Sequence, residues 1–253
     1  MEEYDDLIPE PGEDGIVDMT HRGWKHLDKV VWLMGPAVLQ LNLGFNKLET
    51  LPDEIVLLTL LRDLNIEHNA LSEIPACFGK LRRLRSVKAN NNSIESIPEE
   101  LGDCHMLEEL HFKDNRLKTV PKTLEKCDVL NTLDLTNNKL DILPVEIGGI
   151  ETLKYLHLSG NDGLKHMLPS YLHEDSKTCV FILKLLNDQR CEVRDLKTRN
   201  QELEELAKNK EEYNLRIQDE VQDLQDEFDR QLNIFPRSFV NLQKGFGASC
   251  TVS

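Results

Sequence analysis

The chain has 253 residues, of which 40% are hydrophobic, enough to bury the core of one large domain or two modest ones and to exclude wholesale disorder. Its 45 acidic and 30 basic residues give a formal net charge of -15, which argues against nucleic acid as a partner because the protein would repel a polyanion. No apolar run approaches the roughly 18 residues of a membrane-spanning helix, and the six cysteines form no CxxC pair, so no zinc or cofactor site is predicted.

The first segment, residues 1–14, is strongly acidic. It carries seven carboxylates and no basic residue, so it lacks the positive end and the apolar stretch of a secretory signal. We expect a disordered acidic segment on a cytoplasmic protein, in which the cysteines remain thiols.

A repeat of 23 residues organises the next part of the chain, residues 15–169. Each copy has two apolar residues at alternate positions, such as Leu41 and Leu43, then an asparagine, and ends with an apolar residue followed by proline, as in Leu51-Pro52. The asparagines are Asn46, Asn69, Asn92, Asn115, Asn138 and Asn161. Residues 15–36 fit the same frame with Arg22 in place of the asparagine, which indicates an N-terminal capping coil.

The alternating apolar residues predict a short strand with one buried face, and the repeat length suits one coil of a solenoid. Successive strands should lie parallel, about 4.8 Å apart. Each asparagine amide should satisfy backbone groups left without a partner at the bend, and the proline should begin the return segment. Because one coil cannot bury its own leucines, the coils must stack. The sequence therefore predicts an α/β solenoid with a parallel sheet on its concave face.

This frame resembles the leucine-rich repeat family. The Leu-Pro-x-x-Ile/Leu-x-x-Leu return, present at residues 51–58, is similar to that of the intracellular 23-residue class of Ras-suppressor-like proteins. The resemblance covers roughly residues 16–169. It implies a horseshoe whose concave face binds other proteins, and it leaves the identity of the partner open.

Residues that alternate with the buried leucines must point away from the core, and they define a candidate partner-binding surface. Phe45 and Tyr155 are its aromatic members, a residue type that commonly anchors interfaces. The candidate residues are Asn42, Phe45, Asn65, His68, Lys88, Asn91, His111, Lys113, Asp134, Tyr155 and His157. A solvated polar surface without a partner is the alternative for this face.

Sites for chemistry are not predicted. His111, Asp134 and His157 fall on successive strands and could approach within about 5 Å, but a flat sheet face offers neither a fourth metal ligand nor orienting groups behind it. No Ser or Cys nucleophile adjoins them, and no phosphate loop, HExxH or GxSxG motif occurs. Cys104 and Cys127 share one frame position and should lie in the core. We therefore expect no enzyme and no cofactor.

Residues 170–235 are expected to form a closing segment and a coiled-coil helix, because from Cys179 onward the apolar period changes to alternating steps of three and four. Apolar residues fill 11 of the 16 a and d positions between residues 179 and 231, and Asn200 and Asn214 occupy two a positions. Because such asparagines favour a parallel pair in one register, we expect a homodimer or a partner helix. A single amphipathic helix that folds back on the solenoid stays open, as does a closing strand at residues 178–185, where β-branched and aromatic residues cluster.

The tail, residues 236–253, ends in Cys250-Thr-Val-Ser, which matches the C-a-a-X prenylation signal with the terminal serine of a farnesylation site. Cys250 is therefore a candidate lipidation site that would attach the protein peripherally to a membrane. One lipid chain alone binds a membrane only marginally.

The sequence thus favours a non-enzymatic cytoplasmic adaptor or scaffold that binds protein partners on its concave face and self-associates through a coiled coil. The cytosolic side of a membrane and the cytoskeleton are its expected sites of action. The alternative is a regulatory subunit in a small GTPase or phosphatase pathway, which would cover one surface of its target enzyme.

Overall fold

The computed structural model describes residues 8–166 and 176–234. These residues fall into two units that divide after Cys191. Within the acidic first segment, Ile8 packs against the core and the Gly15 amide donates to the Gly12 carbonyl at 2.9 Å. Residues 1–7 and the tail with Cys250 lie outside the described residues, so lipidation stays a prediction.

A parallel sheet of seven short strands forms the first unit. The strands are β1 Ile16–Asp18, β2 Gln40–Asn42, β3 Asp63–Asn65, β4 Ser86–Lys88, β5 Glu109–His111, β6 Thr132–Asp134 and β7 Tyr155–His157. Their order in the sheet follows the chain, and Leu41, Leu64 and Val87 are register partners at the buried middle position. The predicted solenoid with a parallel sheet is confirmed, and its first strand comes from the capping coil.

The return segments on the other side of the sheet are mostly 3-10 helices. They span Gly35–Ala37, Asp53–Leu57, Ala76–Lys80, Glu99–Asp103, Lys122–Lys126, Val145–Gly149 and Asp162–His166, and a short helix α1 spans Val30–Leu33. Stacked returns approach closely: a Cβ at Gly102 would collide with the Thr123 carbonyl of the next coil. The core therefore lies between sheet and returns, filled by the repeated leucines with Cys104 and Cys127 fully buried among them.

The asparagine of each coil takes over backbone hydrogen bonds at the bend after the strand. Nδ2 of Asn115 donates to the carbonyls of Phe112 and Lys113 in its own coil at 3.1 and 3.2 Å, and to Ala89 in the preceding coil at 2.9 Å. Its Oδ1 accepts from the Ile94 amide at 3.0 Å. Equivalent bonds are made by Asn46, Asn69, Asn92, Asn138 and Asn161. This confirms the role predicted for these amides.

Helix α2, Ser176–Ile234, begins on the last coil of the first unit. Residues 178–185 are helical, so the closing strand that the sequence left open does not form. Cys179 and Leu183 are fully buried in the repeat core and Ile182 packs against it, although the heptad pattern assigns Cys179 and Ile182 to a coiled-coil seam. The Lys184 Nζ donates to the Glu151 carbonyl at 3.1 Å.

The second unit begins at Glu192 and contains the rest of α2. Its large apolar side chains are exposed, including Val193, Leu203 and Val221, and Leu224 is 70% exposed. No helix among the described residues combines the length and hydropathy needed to cross a bilayer.

Candidate protein-binding face

The third residue of every strand points outward and forms one column across the sheet. The column runs Asp18, Asn42, Asn65, Lys88, His111, Asp134 and His157, all in register. Lys88 and His157 are exposed, whereas His111 is half-buried with its Nε2 3.6 Å from Glu109 Oε2.

Three predicted site residues in this column also shape the bend that follows each strand. The Oδ1 atoms of Asn42, Asn65 and Asp134 accept hydrogen bonds from the backbone amide two residues ahead, at 3.2, 2.9 and 3.0 Å. Their side chains are half-buried. Short polar side chains commonly bond the backbone in this way at turns, so part of the predicted surface is structural.

A second column follows the ends of the strands, where the backbone adopts the left-handed conformation. It contains His21, Phe45, His68, Asn91, Asp114 and Asn137, with φ between 52 and 57°. Neighbouring side chains along this column touch. Phe45 stacks between the two histidines, with ring centroids 4.6 Å from His21 and 4.3 Å from His68. Asn91 Nδ2 lies 3.4 Å from His68 Nε2, and Asn137 Nδ2 donates to Asp114 Oδ1 at 2.8 Å.

The exposed Phe and Tyr side chains of the sheet face lie toward opposite ends of the sheet. Phe45 follows β2 and is 47% exposed, and Tyr155 opens β7 and is 49% exposed. Lys113 is exposed between them, and its backbone amide donates to Asn90 Oδ1 at 2.8 Å. The sheet therefore presents polar side chains along its length with an aromatic side chain near each end.

His21 is a member of the second column that the sequence analysis missed. It lies 24 residues before Phe45, not 23, because the capping coil is one residue longer than the others. The other members of this column lie one residue before the asparagine of their coil. His21 lies one residue before Arg22, which stands at the asparagine position of the frame, and this spacing could have identified it.

A shallow depression of about 380 Å³ lies over the first five strands. Its outer lining is polar and includes Asp18, Gln40, Asn42, Lys88 and Glu109. Small-molecule sites are usually concave and mainly apolar, so this lining suits contact with another protein better than a small ligand.

Chemistry-bearing groups are sparse in the part of the chain that the structure describes. No cluster of three metal-ligating side chains occurs among residues 8–166 and 176–234, although His111, Asp134 and His157 are register neighbours as predicted. Burial raises the pKa of the Cys104 thiol to about 11 and that of Cys127 to about 12. Because the thiolate is the reactive form, these two cysteines are core residues rather than nucleophiles.

Comparison with known families identifies the repeat. The leucine rich repeat family model matches residues 36–94 and 105–162, the region that contains β2 to β7. The chain contains leucine-rich repeats. No curated protein matches this sequence significantly.

Solved structures with similar repeats include the leucine-rich repeat domain of the type III effector XopL, with 19% identity and a TM-score of 0.55 over 59% of this chain and 53% of that chain. A leucine-rich repeat protein of Leptospira interrogans has 26% identity and a TM-score of 0.46 over 57% of this chain and 48% of its own. The ectodomain of the receptor kinase GASSHO1/SCHENGEN3 from Arabidopsis thaliana, solved with CASPARIAN STRIP INTEGRITY FACTOR 2, has 28% identity and a TM-score of 0.48 over 53% and 17%. The chain thus spans about half the length of the XopL domain and of the Leptospira protein. At 19% identity, the likeness to XopL is evidence of a shared fold and not of a shared role.

Proposed function

We propose that this protein is a non-enzymatic scaffold that binds protein partners on the concave face of its repeats. The observation that carries the proposal is the two continuous columns of outward side chains, with Phe45 and Tyr155 exposed near opposite ends. Solenoids of stacked repeats use such extended concave surfaces for binding, and exposed aromatic side chains are frequent anchors of interfaces.

A catalytic role has little support in this arrangement. Cys104 and Cys127 in the core have raised pKa values, and the histidines of the sheet face lie on an open surface rather than in a closed cavity. We further propose that the protein acts in the cytoplasm, on the cytosolic side of a membrane or on the cytoskeleton, where cysteines such as Cys104 and Cys127 remain thiols. We also propose that the repeats are of the intracellular 23-residue, Ras-suppressor-like class.

The second unit supports self-association of two copies through a parallel coiled coil. Its exposed apolar stripe, which includes Val193, Leu203, Val221 and Leu224, follows the heptad spacing, and two helices of this kind bury such a stripe against each other. Asn200 would then face its copy, which specifies an in-register pair at a cost in stability.

Charge also favours the parallel pairing. In a parallel in-register pair, g positions face the e positions of the next heptad on the partner helix. Glu192 would face Lys197, and Arg199 would face Glu204, so both charged pairs attract. Lys210 at a d position opposes the pairing, because its charge would face its own copy.

Capture of partners from cell extract, followed by mass spectrometry, tests the scaffold. His111→Ala and Tyr155→Ala should each weaken capture by several-fold without changing the melting temperature, since both side chains point away from the core. Lys122→Ala and Glu125→Ala, exposed on a return segment, are the matched controls and should leave capture intact. Loss of capture in the return-segment variants alone would place the interface elsewhere and refute the proposal.

The same capture separates the scaffold from the alternative function. A regulatory subunit should enrich one GTPase or phosphatase and change its catalytic rate when the two purified proteins are mixed. A scaffold should enrich several proteins whose activities it leaves unchanged.

A further inference from the structure

Three rings stack where the strands of the first coils end. Phe45 lies between His21 and His68, with ring planes 15° and 14° from parallel. All three side chains are exposed, and none belongs to the buried core. The stack is therefore a surface feature that folding of the core does not require.

Phe45 is also an unusual residue for its backbone conformation. Its φ is 56°, a left-handed value that bulky residues rarely adopt. Later coils place Asn91, Asp114 and Asn137 at the same position, and these residue types tolerate the conformation because their short polar side chains bond locally. A strained residue that the core does not need points to a function at that residue.

Exposed cationic residues lie on the two chain segments that carry the stack. Backbone hydrogen bonds join these segments: the His21 amide donates to the Gly44 carbonyl at 3.3 Å, and the Lys47 amide donates to the Trp24 carbonyl at 2.8 Å. Arg22, whose guanidinium lies 6.0 Å from the Trp24 ring centroid, and Lys25 are therefore on the segment adjacent to that of Lys47. Within the described residues, no carboxylate lies at ion-pair distance from any of these three cations.

Two carboxylates near the stack, those of Asp18 and Glu67, accept hydrogen bonds from other residues of the first unit. Asp18 Oδ1 accepts from the Thr20 amide at 2.9 Å, and Glu67 Oε1 accepts from Asn90 Nδ2. Glu49, whose amide donates to the Lys25 carbonyl at 3.4 Å, is an acid on the same segments, so three cations and one carboxylate leave a local excess of two positive charges. On a chain with a net charge of -15, this local excess beside exposed rings differs from the general field.

We propose that this ring–cation patch, composed of His21, Phe45, His68, Arg22, Lys25 and Lys47, binds an acidic peptide segment of a protein partner. Carboxylates of the segment pair with the cations, and an aromatic or large aliphatic side chain of the segment packs against Phe45. Complementary charge sets register and the rate of association, while the buried ring contact provides most of the binding energy. The inference rests on the proposed scaffold function and specifies one partner chemistry for one end of its face.

Selection from a random library of 12-residue peptides on the full chain tests the chemistry without a known partner. The enriched peptides should be acidic and contain an aromatic or large aliphatic residue. Their affinity, measured by fluorescence anisotropy with the synthetic peptides, should fall at least tenfold in Phe45→Asn and in Lys47→Glu. Lys122→Ala, exposed on a return segment away from the sheet face, is the matched control and should change the affinity less than twofold.

Phe45→Asn is a sharp variant because Asn91 and Asn137 already hold that conformation in other coils. Its melting temperature should equal or exceed that of the wild type, so lost binding would not reflect lost folding. Peptides in which lysine replaces an acidic residue should bind Lys47→Glu better than they bind the wild type, which would demonstrate the charge pairing directly.

Several outcomes overturn the inference. Neutral or basic peptides, no enriched peptide, or acidic peptides that bind Phe45→Asn unchanged would each refute it. Peptides that instead lose affinity in His111→Ala or Tyr155→Ala would leave the scaffold function intact and remove only the ring–cation patch. Peptides sensitive to none of these concave-face variants would count against both.

Discussion

Asn115 shows at the scale of one residue how a solenoid compensates for its bends. Each bend turns backbone groups away from the sheet, and a buried polar group without a partner costs free energy. The Asn115 side chain, 7% exposed, supplies four hydrogen bonds to two coils. A serine hydroxyl could donate only one hydrogen bond there, whereas the asparagine amide has two N–H donors and a separate carbonyl acceptor.

Asn115→Ala should therefore lower the free energy of unfolding by about 1–3 kcal/mol through groups left unsatisfied. The amide of Asn161 in the last coil makes the same contacts, and this residue is 1% exposed. Asn161→Ala should thus cost a similar amount. Urea unfolding followed by circular dichroism measures both, with exposed Lys139→Ala as control. Coincident curves for Asn115→Ala and the wild type would contradict this role of the amide.

The buried thiols give the fold a dependence on alkaline pH. Burial raises the pKa of Cys104 to about 11 and of Cys127 to about 12 in the folded protein, above the roughly 8.5 of an exposed thiol. The folded state thus binds these protons more tightly, and this stabilisation is complete below the unfolded pKa and lost as pH rises through the folded one. The free energy of unfolding should decline from about pH 9 upward, and less steeply in Cys127→Ala. If the free energy of unfolding fell equally with pH in the wild type and in Cys127→Ala, the buried Cys127 thiol would not be a cause of the pH dependence.

At the scale of elements, the first turns of α2 close the open end of the sheet. Ser176 Oγ accepts from the Leu156 amide at 2.5 Å, while Arg190 forms an ion pair with Glu146 on the last complete return. Burial raises the pKa of Glu146, but the hydrogen bond and charge of Arg190, together with a backbone hydrogen bond and the charge of Lys122, hold that pKa below its usual value. This end of α2 therefore acts as the C-terminal cap that a solenoid requires.

Gly148→Ala should disturb this cap, because a Cβ at Gly148 would collide with the Leu183 backbone carbonyl. Overpacking of this kind costs about 1–3 kcal/mol. Gly149→Ala is the matched control, since its Cβ would meet only the end of the Asn187 side chain at 3.3 Å, which can move. Thermal unfolding should separate the two variants by several degrees. Equal melting temperatures would mean that the helix does not pack as tightly on this return as the structure has it.

At the scale of the whole molecule, the sequence predicts the strands and the outward column, which follow from the 23-residue repeat. It does not predict contacts between the repeats and segments that depart from the repeat, namely helix α2 and the capping coil. The spacing of Leu41, Leu43 and Asn46 determined the strands, their order and the outward column, since each coil repeats the same physical problem. The spacing did not reveal that Cys179 packs in the repeat core, because alternating steps of three and four suit a cap and a coiled coil equally. It also passed over His21, whose ring contact depends on the one-residue extension of the capping coil.

The second unit extends this argument to two molecules. If two copies pair in parallel and in register, each a position lies opposite its own copy, close enough for a disulfide. Asn214→Cys should then form a covalent dimer under mild oxidation, whereas Gln222→Cys, on the outer face of the heptad, and the wild type should not. Non-reducing electrophoresis distinguishes these results, and light scattering of the wild type gives the mass in solution.

The pattern of crosslinks decides between the arrangements. A dimeric mass without a crosslink at Asn214→Cys would indicate an antiparallel pair, in which a positions no longer face their copies, and would contradict the parallel register. A monomeric mass at concentrations of tens of micromolar would remove self-association altogether and leave the exposed stripe of Val193, Leu203 and Val221 to a different partner helix. Both results would leave the concave face untouched, because its residues belong to the first unit.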